Sequence, residues 1–299
     1  METWKRTVYI SLVCVFCTAF GVSQLAPILP LYFHDLGVQT PEAMSLWSGL
    51  ATGATYIIVC LAAPFWGRVA DKKGRKITLI RSSFGMALCN ILIAFQTTPE
   101  GVVLIRLVQG LVSGFYSASI TLIASESPIE RTGWALGLLA SANLAGSLIG
   151  PLLGGYIADT VGIRNDFIIV GALMGLAGVL ATIFIHENYV PQPNPEKLSI
   201  RKLKEQIPEF NSIVALCVAS FIYAICIMSL QPVISVYIKG IVPSDTENLA
   251  FIAGAVFSAM GIAQLMSSSP LGKLVDKIGP RKVLVVSLIY VGILNIPQA

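Results

Sequence analysis

Charge is what this sequence has least of: Asp, Glu, Lys and Arg make up 12% of its 299 residues, and only two histidines accompany them. A soluble domain carries about twice that share of charged residues, so an ordinary water-soluble fold is excluded. Polar intervals are equally scarce, the only long one being 187–211. Also missing are metal-ligand clusters, a nucleophile–base pair and a G-x-x-x-x-G-K-[ST] phosphate loop. Those absences argue against a membrane enzyme, a resident metal or cofactor, and a nucleotide-driven pump. Six cysteines are present, but Cys14, Cys17, Cys60, Cys89, Cys217 and Cys226 all lie in apolar stretches. Cys14-x-x-Cys17 therefore lacks the polar setting of a redox or metal pair and reads as two buried small hydrophobes.

What is there instead is apolar, at 55% of the chain. A membrane crossing takes ~20 such residues. The sequence supplies them near 8–33, 47–66, 77–96, 101–124, 133–158, 165–186, 212–238 and 248–269, and a ninth stretch begins near 283. The first is too long for the apolar region of a signal peptide and is followed by no small-residue cleavage site. Of the 20 Lys and Arg, all but Arg106, Arg164 and Lys239 fall on one side of these spans. The positive-inside rule sets that side, and the amino terminus, in the cytoplasm. The basic turns are too short to form a nucleic-acid surface. The expected product is an all-α polytopic protein of the inner or plasma membrane.

The string Gly67-Arg68-Val69-Ala70-Asp71-Lys72-Lys73-Gly74-Arg75-Lys76 returns, altered, from Gly272 through Asp276 and Gly279 to Lys282, offset by 205 positions. Pro27, Pro30 and Tyr32 stand in the same register to Pro232, Val236's neighbour Ser235 and Tyr237. Two parallel copies of one helical unit are the plan of a transporter that rocks one half against the other. The copies divide the chain into a complete six-helix bundle (1–187), a cytoplasmic linker (188–211) and an incomplete second bundle (212–299). A counterpart to Arg106 would fall beyond Ala299, so the chain is expected to be a fragment or a truncated reading frame. In the linker, Pro191, Pro193 and Pro195 favour extended backbone. Beyond them Leu198, Ile200, Leu203 and Ile207 alternate with Arg201, Lys202, Lys204 and Glu205, as in a short amphipathic helix on the membrane surface.

The pattern around Asp71 resembles the hallmark loop of the major facilitator superfamily. The resemblance implies a conformational latch formed by Gly67, Asp71, Gly74 and Arg75 and repeated at Gly272, Asp276 and Gly279. Gly67 and Gly74 suit a tight turn, and Asp71, amid basic residues, suits a helix amino terminus. In the fifth span Gly146, Gly150 and Gly154 recur every four residues and clear one helix face, while Pro151 bends it. With Gly155 this string is similar to the antiporter motif G-x-x-x-G-P-x-x-G-G of the superfamily's drug:proton exchangers. A plain small-residue packing face is the other reading. Arg106, Gln109, Gly110 and Gly114 resemble the family's R-x-x-Q-G-x-x-x-G element, and imply either an arginine facing the cavity or an inter-helix tie. Pro27 and Pro30 resemble its first-helix signature, as cavity lining or as a simple kink. Short strings such as Trp47-Ser48-Gly49 and Gly133-Trp134-Ala135-Leu136-Gly137 look like the MdtG-type multidrug efflux group.

One departure stands out. None of the 16 Asp and Glu falls in the middle of an expected span, although many drug:proton antiporters keep a membrane-embedded acid. Asp35, near the end of the first span, is left as the least unsuitable proton site. The resemblance implies a monomeric secondary transporter that exports amphipathic compounds in exchange for protons. Tyr32, Phe33, Tyr116, Tyr223 and Tyr237 are candidates for lining its cleft. A proton symporter for nutrients on the same scaffold, or a transport-dead sensor, remains the alternative.

Overall fold

The computed structural model describes residues 3–187, 210–242 and 248–295, and every regular element among them is an α-helix. Helices α1 (Thr3–Ser23) and α2 (Leu25–Asp35) form the first span, interrupted at Gln24. Then follow α3 (Pro41–Lys73), α4 (Arg75–Ala94), α5 (Pro99–Val112), α6 (Phe115–Glu126), α7 (Thr132–Val161) and α8 (Ile163–Phe184). The last three described are α9 (Phe210–Ile241), α10 (Leu249–Ile278) and α11 (Pro280–Asn295). Among the described residues seven helical stretches are long and apolar enough to cross a membrane, α5 and α6 counting together as one. The other two expected spans correspond to α9 and α11. Residues 188–209 of the expected linker, including its amphipathic segment, lie outside the described residues.

Local chemistry sets several of the helix starts. Thr40-Pro41-Glu42 and Thr98-Pro99-Glu100 repeat one signature at α3 and α5. The threonine hydroxyl accepts from the amide three residues on, proline occupies the first turn, and an acid faces the positive helix end. Polarity on the outer surface is low. On α3, Leu46, Ile57, Leu61 and Phe65 are exposed, Leu61 to 71%. A face of that character belongs against acyl chains rather than water.

Helix direction gives the bundle two ends. The basic end holds Lys5, Arg6, Lys72, Arg75 and Lys76; the opposite end holds Asp35, Arg164 and Lys239. Within the first six spans α1 lies against α7 and α8, α4 against α8, α5 and α6, and α3 against α5. From the second repeat, α9 lies against α2 and α3, and α10 against α7 and α2. The apolar core falls into two clusters stacked along the bundle. One, around Cys14, Leu79, Leu122, Leu139 and Met174, extends toward the basic end. The other, around Ile28, Tyr32, Phe33, Ile93 and Phe167, fills the opposite end.

Two expectations need correcting. The span read as 101–124 is two helices, joined at Ser113 and at Gly114, whose φ of +115° is left-handed and strained for any side chain. The string from Gly67 to Lys73 is not a turn but the last helical residues of α3, because nothing in it breaks a helix. The chain reverses only at Gly74, φ +92°. Its repeat partner Gly279, φ +88°, makes the same one-residue joint between α10 and α11. The 205-residue register is thus visible in the backbone as well as in the side chains.

Candidate functional site

The glycines of α7 form a seam between two other helices. A β-carbon on Gly146 would stand 2.6 Å from the Phe16 carbonyl oxygen, and one on Gly150 would stand 2.5 Å from that of Phe20. One on Gly154 would strike the Gln24 side chain. These three residues seat α7 on α1. Gly155 turns toward α10, where a β-carbon would meet the Ala250 backbone, and Gly254 of α10 meets the Pro151 carbonyl in return. Backbones that close are possible only without side chains, which is what small residues provide where helices meet in lipid. Polar contacts run along the seam. Ser23 Oγ donates to the Gly146 carbonyl at 3.3 Å, and Ser258 Oγ to the Leu148 carbonyl at 2.7 Å. At the opposite end Asp159 closes it. Its two carboxylate oxygens accept from the backbone amides of Ala250 (3.1 Å) and Phe251 (2.7 Å), the otherwise orphaned donors at the start of α10.

The first span carries the next contact between repeats. Pro30 lacks the N–H that would bond the Ala26 carbonyl, and Ser235 Oγ of α9 donates to that oxygen at 3.5 Å. Pro27 and Pro30 are both buried, Pro30 inside the helix. Tyr32 and Phe33 are fully buried too, which corrects their assignment to the cleft. The Tyr32 hydroxyl donates to the carbonyls of Ile93 (2.7 Å) and Gln96 (3.2 Å), with its ring edge-on to Phe167. Tyr237 and Tyr116 are surface-accessible; the Tyr223 side chain lies outside the described residues.

Asp35, the proton site suggested by the sequence, sits at the surface, 57% exposed and 3.8 Å from His34. The structure instead buries an acid that the sequence reading passed over. Asp166 in the first turn of α8 is 0% exposed, and Gln24 Nε2 donates to its Oδ2 at 2.9 Å. A signal for it was available. Asp166 continues the buried stripe of Val170, Met174, Ala177 and Ala181 at helical spacing.

Arg106 is buried on α5, and its Nη1 donates to Gln109 Oε1 at 2.8 Å. Its carbonyl accepts from Thr55 Oγ1 of α3 at 3.0 Å, and a β-carbon on Gly110 would stand 2.5 Å from the Thr55 carbonyl. Among the described residues no carboxylate pairs with Arg106; Tyr56 and Cys89 are its titratable neighbours. The motif therefore sits at the α3–α5 contact. Where α5 gives way to α6, Arg81 of α4 donates to the carbonyls of Leu111 (3.1 Å) and Ser113 (3.0 Å). Its guanidinium lies 3.5 Å over the Trp66 ring, whose Nε1 also donates to Leu111.

At the basic end Asp71 is exposed, and nothing lies within 4 Å of a β-carbon on Gly67. The side chains of Gly272's neighbours Lys273 and Asp276 lie outside the described residues. The acid that meets a helix start here is Glu187, another residue the sequence reading missed. Its carboxylate accepts from the backbone amides of Arg75 (2.7 Å) and Lys76 (2.8 Å) at the start of α4. Lys76 Nζ donates to the Thr182 carbonyl, and Arg6 donates to the Phe184 carbonyl and to His186 Nδ1. The end of α8 thereby ties the starts of α1 and α4.

A lipid-facing helical chain whose helices meet along a seam of close backbone contacts is a polytopic membrane protein of the transporter type. The chain belongs to the Major Facilitator Superfamily, whose family description matches residues 11–297. It is 37% identical to the multidrug resistance protein MdtG of Salmonella dublin over 296 residues, 99% of this chain and 73% of that protein. It is likewise 37% identical to MdtG of Proteus mirabilis over 298 residues, covering 100% of this chain and 74% of the relative. Among solved structures, a bacterial homologue of the human lysosomal transporter Spinster matches with a TM-score of 0.69 at 13% identity. That match covers 94% of this chain and 64% of the other, and it shows the fold alone.

Proposed function

We propose that this protein is a drug-efflux transporter that carries amphipathic compounds out of the cell in exchange for protons by alternating access. The observation that carries the reading is the α7 seam. The full G-x-x-x-G-P-x-x-G-G string is seated on α1 and α10, in a chain 37% identical to proteins named for multidrug resistance. A seam of backbone against backbone lets α10 of the second repeat rock on α7 of the first. The basic end faces the cytoplasm, following the placement of Lys and Arg. Residues 1–187 and 212–299 act as the two lobes, with 188–211 as linker. Gly74, Arg75 and Glu187 hold the basic end of the first lobe, and Gly67 and Asp71 with Gly272, Asp276 and Gly279 form its latch toward the second. Arg106, Gln109 and Gly110 shape the packing of α5 on α3 beside the substrate path.

The test is a drug-susceptibility panel in an efflux-deficient bacterium expressing the protein, with and without a protonophore. Raised resistance to amphipathic cations that disappears with the protonophore is expected. Unchanged susceptibility with verified membrane insertion, or proton-driven accumulation of a sugar or acid instead, would overturn the reading.

A further inference from the structure

Asp166 and Gln24 meet where the two apolar core clusters join. Phe20, Val170 and Met174 belong to one cluster, and Leu25, Ala158 and Phe167 to the other. Both side chains are 0% exposed. Between them a single hydrogen bond is made, Gln24 Nε2 to Asp166 Oδ2. Two acceptors, Asp166 Oδ1 and Gln24 Oε1, are left with no partner among the described residues. A buried acceptor without a donor is destabilising, so the pair is short of a hydrogen. An ionised carboxylate and an amide oxygen only accept, whereas a carboxylic acid donates one O–H. One added proton on Asp166 Oδ1 supplies the missing donor, with no other atom gained or lost.

Most of the charged and titratable groups at this end of the packed elements have partners of their own. Tyr32 of α2 bonds the Ile93 and Gln96 carbonyls, and Asp159 of α7 caps α10. Arg164 of α8 reaches the Gln96 carbonyl at the surface, and His34 and Asp35 sit together in solvent. Lys239 of α9 stands partly buried at the same end. None of these forms an ion pair with Asp166 among the described residues. Gln24 is also the residue at which the first span is interrupted, and it fills the space over Gly154 on the α7 seam. Gln24 thus links the carboxylate to α7, the first-repeat helix on which α10 of the second repeat packs.

We propose that Asp166 is a proton-binding residue of the transport cycle, with Gln24 as the positioning residue that couples its protonation to the α1–α7 contact. This rests on the proton-exchange reading above. In the full protein reconstituted in lipid, infrared difference spectra between acidic and alkaline buffer should show a buried carboxyl C=O band that is lost in Asp166→Asn. Proton-gradient-driven efflux of ethidium from the same vesicles should be lost with it. A band that survives the substitution, or gradient-driven efflux that persists in it, overturns the assignment. Gln24→Ala leaves the acid in place and removes its only donor among the described residues. It should displace the pH midpoint of the band, and an unmoved midpoint counts against the proposal even if Asp166→Asn fails to fold. Wild-type vesicles that show the band but never move ethidium would sink the drug-exchange reading while leaving Asp166 as the proton site.

Discussion

Single side chains at the basic end decide how the helices there begin. Glu187 covers two amides that α4 cannot satisfy itself, and its charge meets the positive end of that helix. Glu187→Gln keeps an acceptor but removes the charge. A loss of about 1 kcal/mol is expected, read as a lower melting temperature of the purified protein in detergent, and an unshifted melt would refute the capping role. Glu187 was not legible as a cap in the sequence. It stands more than a hundred residues from Arg75 and Lys76 and borders the polar interval, where an acid reads as a solvated surface charge. Asp166 was hidden for the opposite reason. It sits at the edge of an apolar stretch, where span boundaries are least certain, and only the helical register of its buried neighbours gives it away.

Among the elements, α7 was the most readable and α5–α6 the least. The four-residue spacing of Gly146, Gly150 and Gly154 states a flat face without any knowledge of its partners. That the partners are α1 on one side and α10 on the other depends on tertiary placement, which spacing does not encode. The interruption at Gly114 was missed because an apolar stretch of the right length masks one left-handed glycine. Its freed carbonyls are satisfied by Arg81 and Trp66 from other helices. Gly150→Leu should push α7 off α1. Overpacking of this kind costs about 1–3 kcal/mol, and here, besides the Ser23 hydroxyl, the neighbours are Phe20 backbone atoms that cannot swing aside. Dye efflux by this variant should fall sharply at normal membrane abundance. Wild-type turnover would reduce the seam to incidental packing.

At the level of the whole molecule, the helical content, the span positions and the repeat were all legible, since apolar length and a fixed offset survive without tertiary knowledge. Gly74 and Gly279 make matching one-residue joints at that offset. What the offset did not foretell is which surfaces the repeats use: α10 on α7 and α2, and α9 on α2 and α3. At the opposite end Tyr156 of α7 and Phe251 of α10 stand edge to face at 6.4 Å between ring centres. Linking Tyr156→Cys to Phe251→Cys with a short bismaleimide should arrest transport, and reduction of a cleavable analogue should restore it. Continued transport by the linked protein would contradict rocking of one repeat on the other.

Asp159 carries a further consequence. If α10 swings away from it, the Ala250 and Phe251 amides lose the Asp159 acceptor and confront the aqueous phase as a vacant, positively poised niche. Small inorganic anions in the medium at that face can occupy such a niche. The balance between closed and parted forms would then shift with bathing chloride or phosphate, giving a salt sensitivity unconnected with the cargo itself.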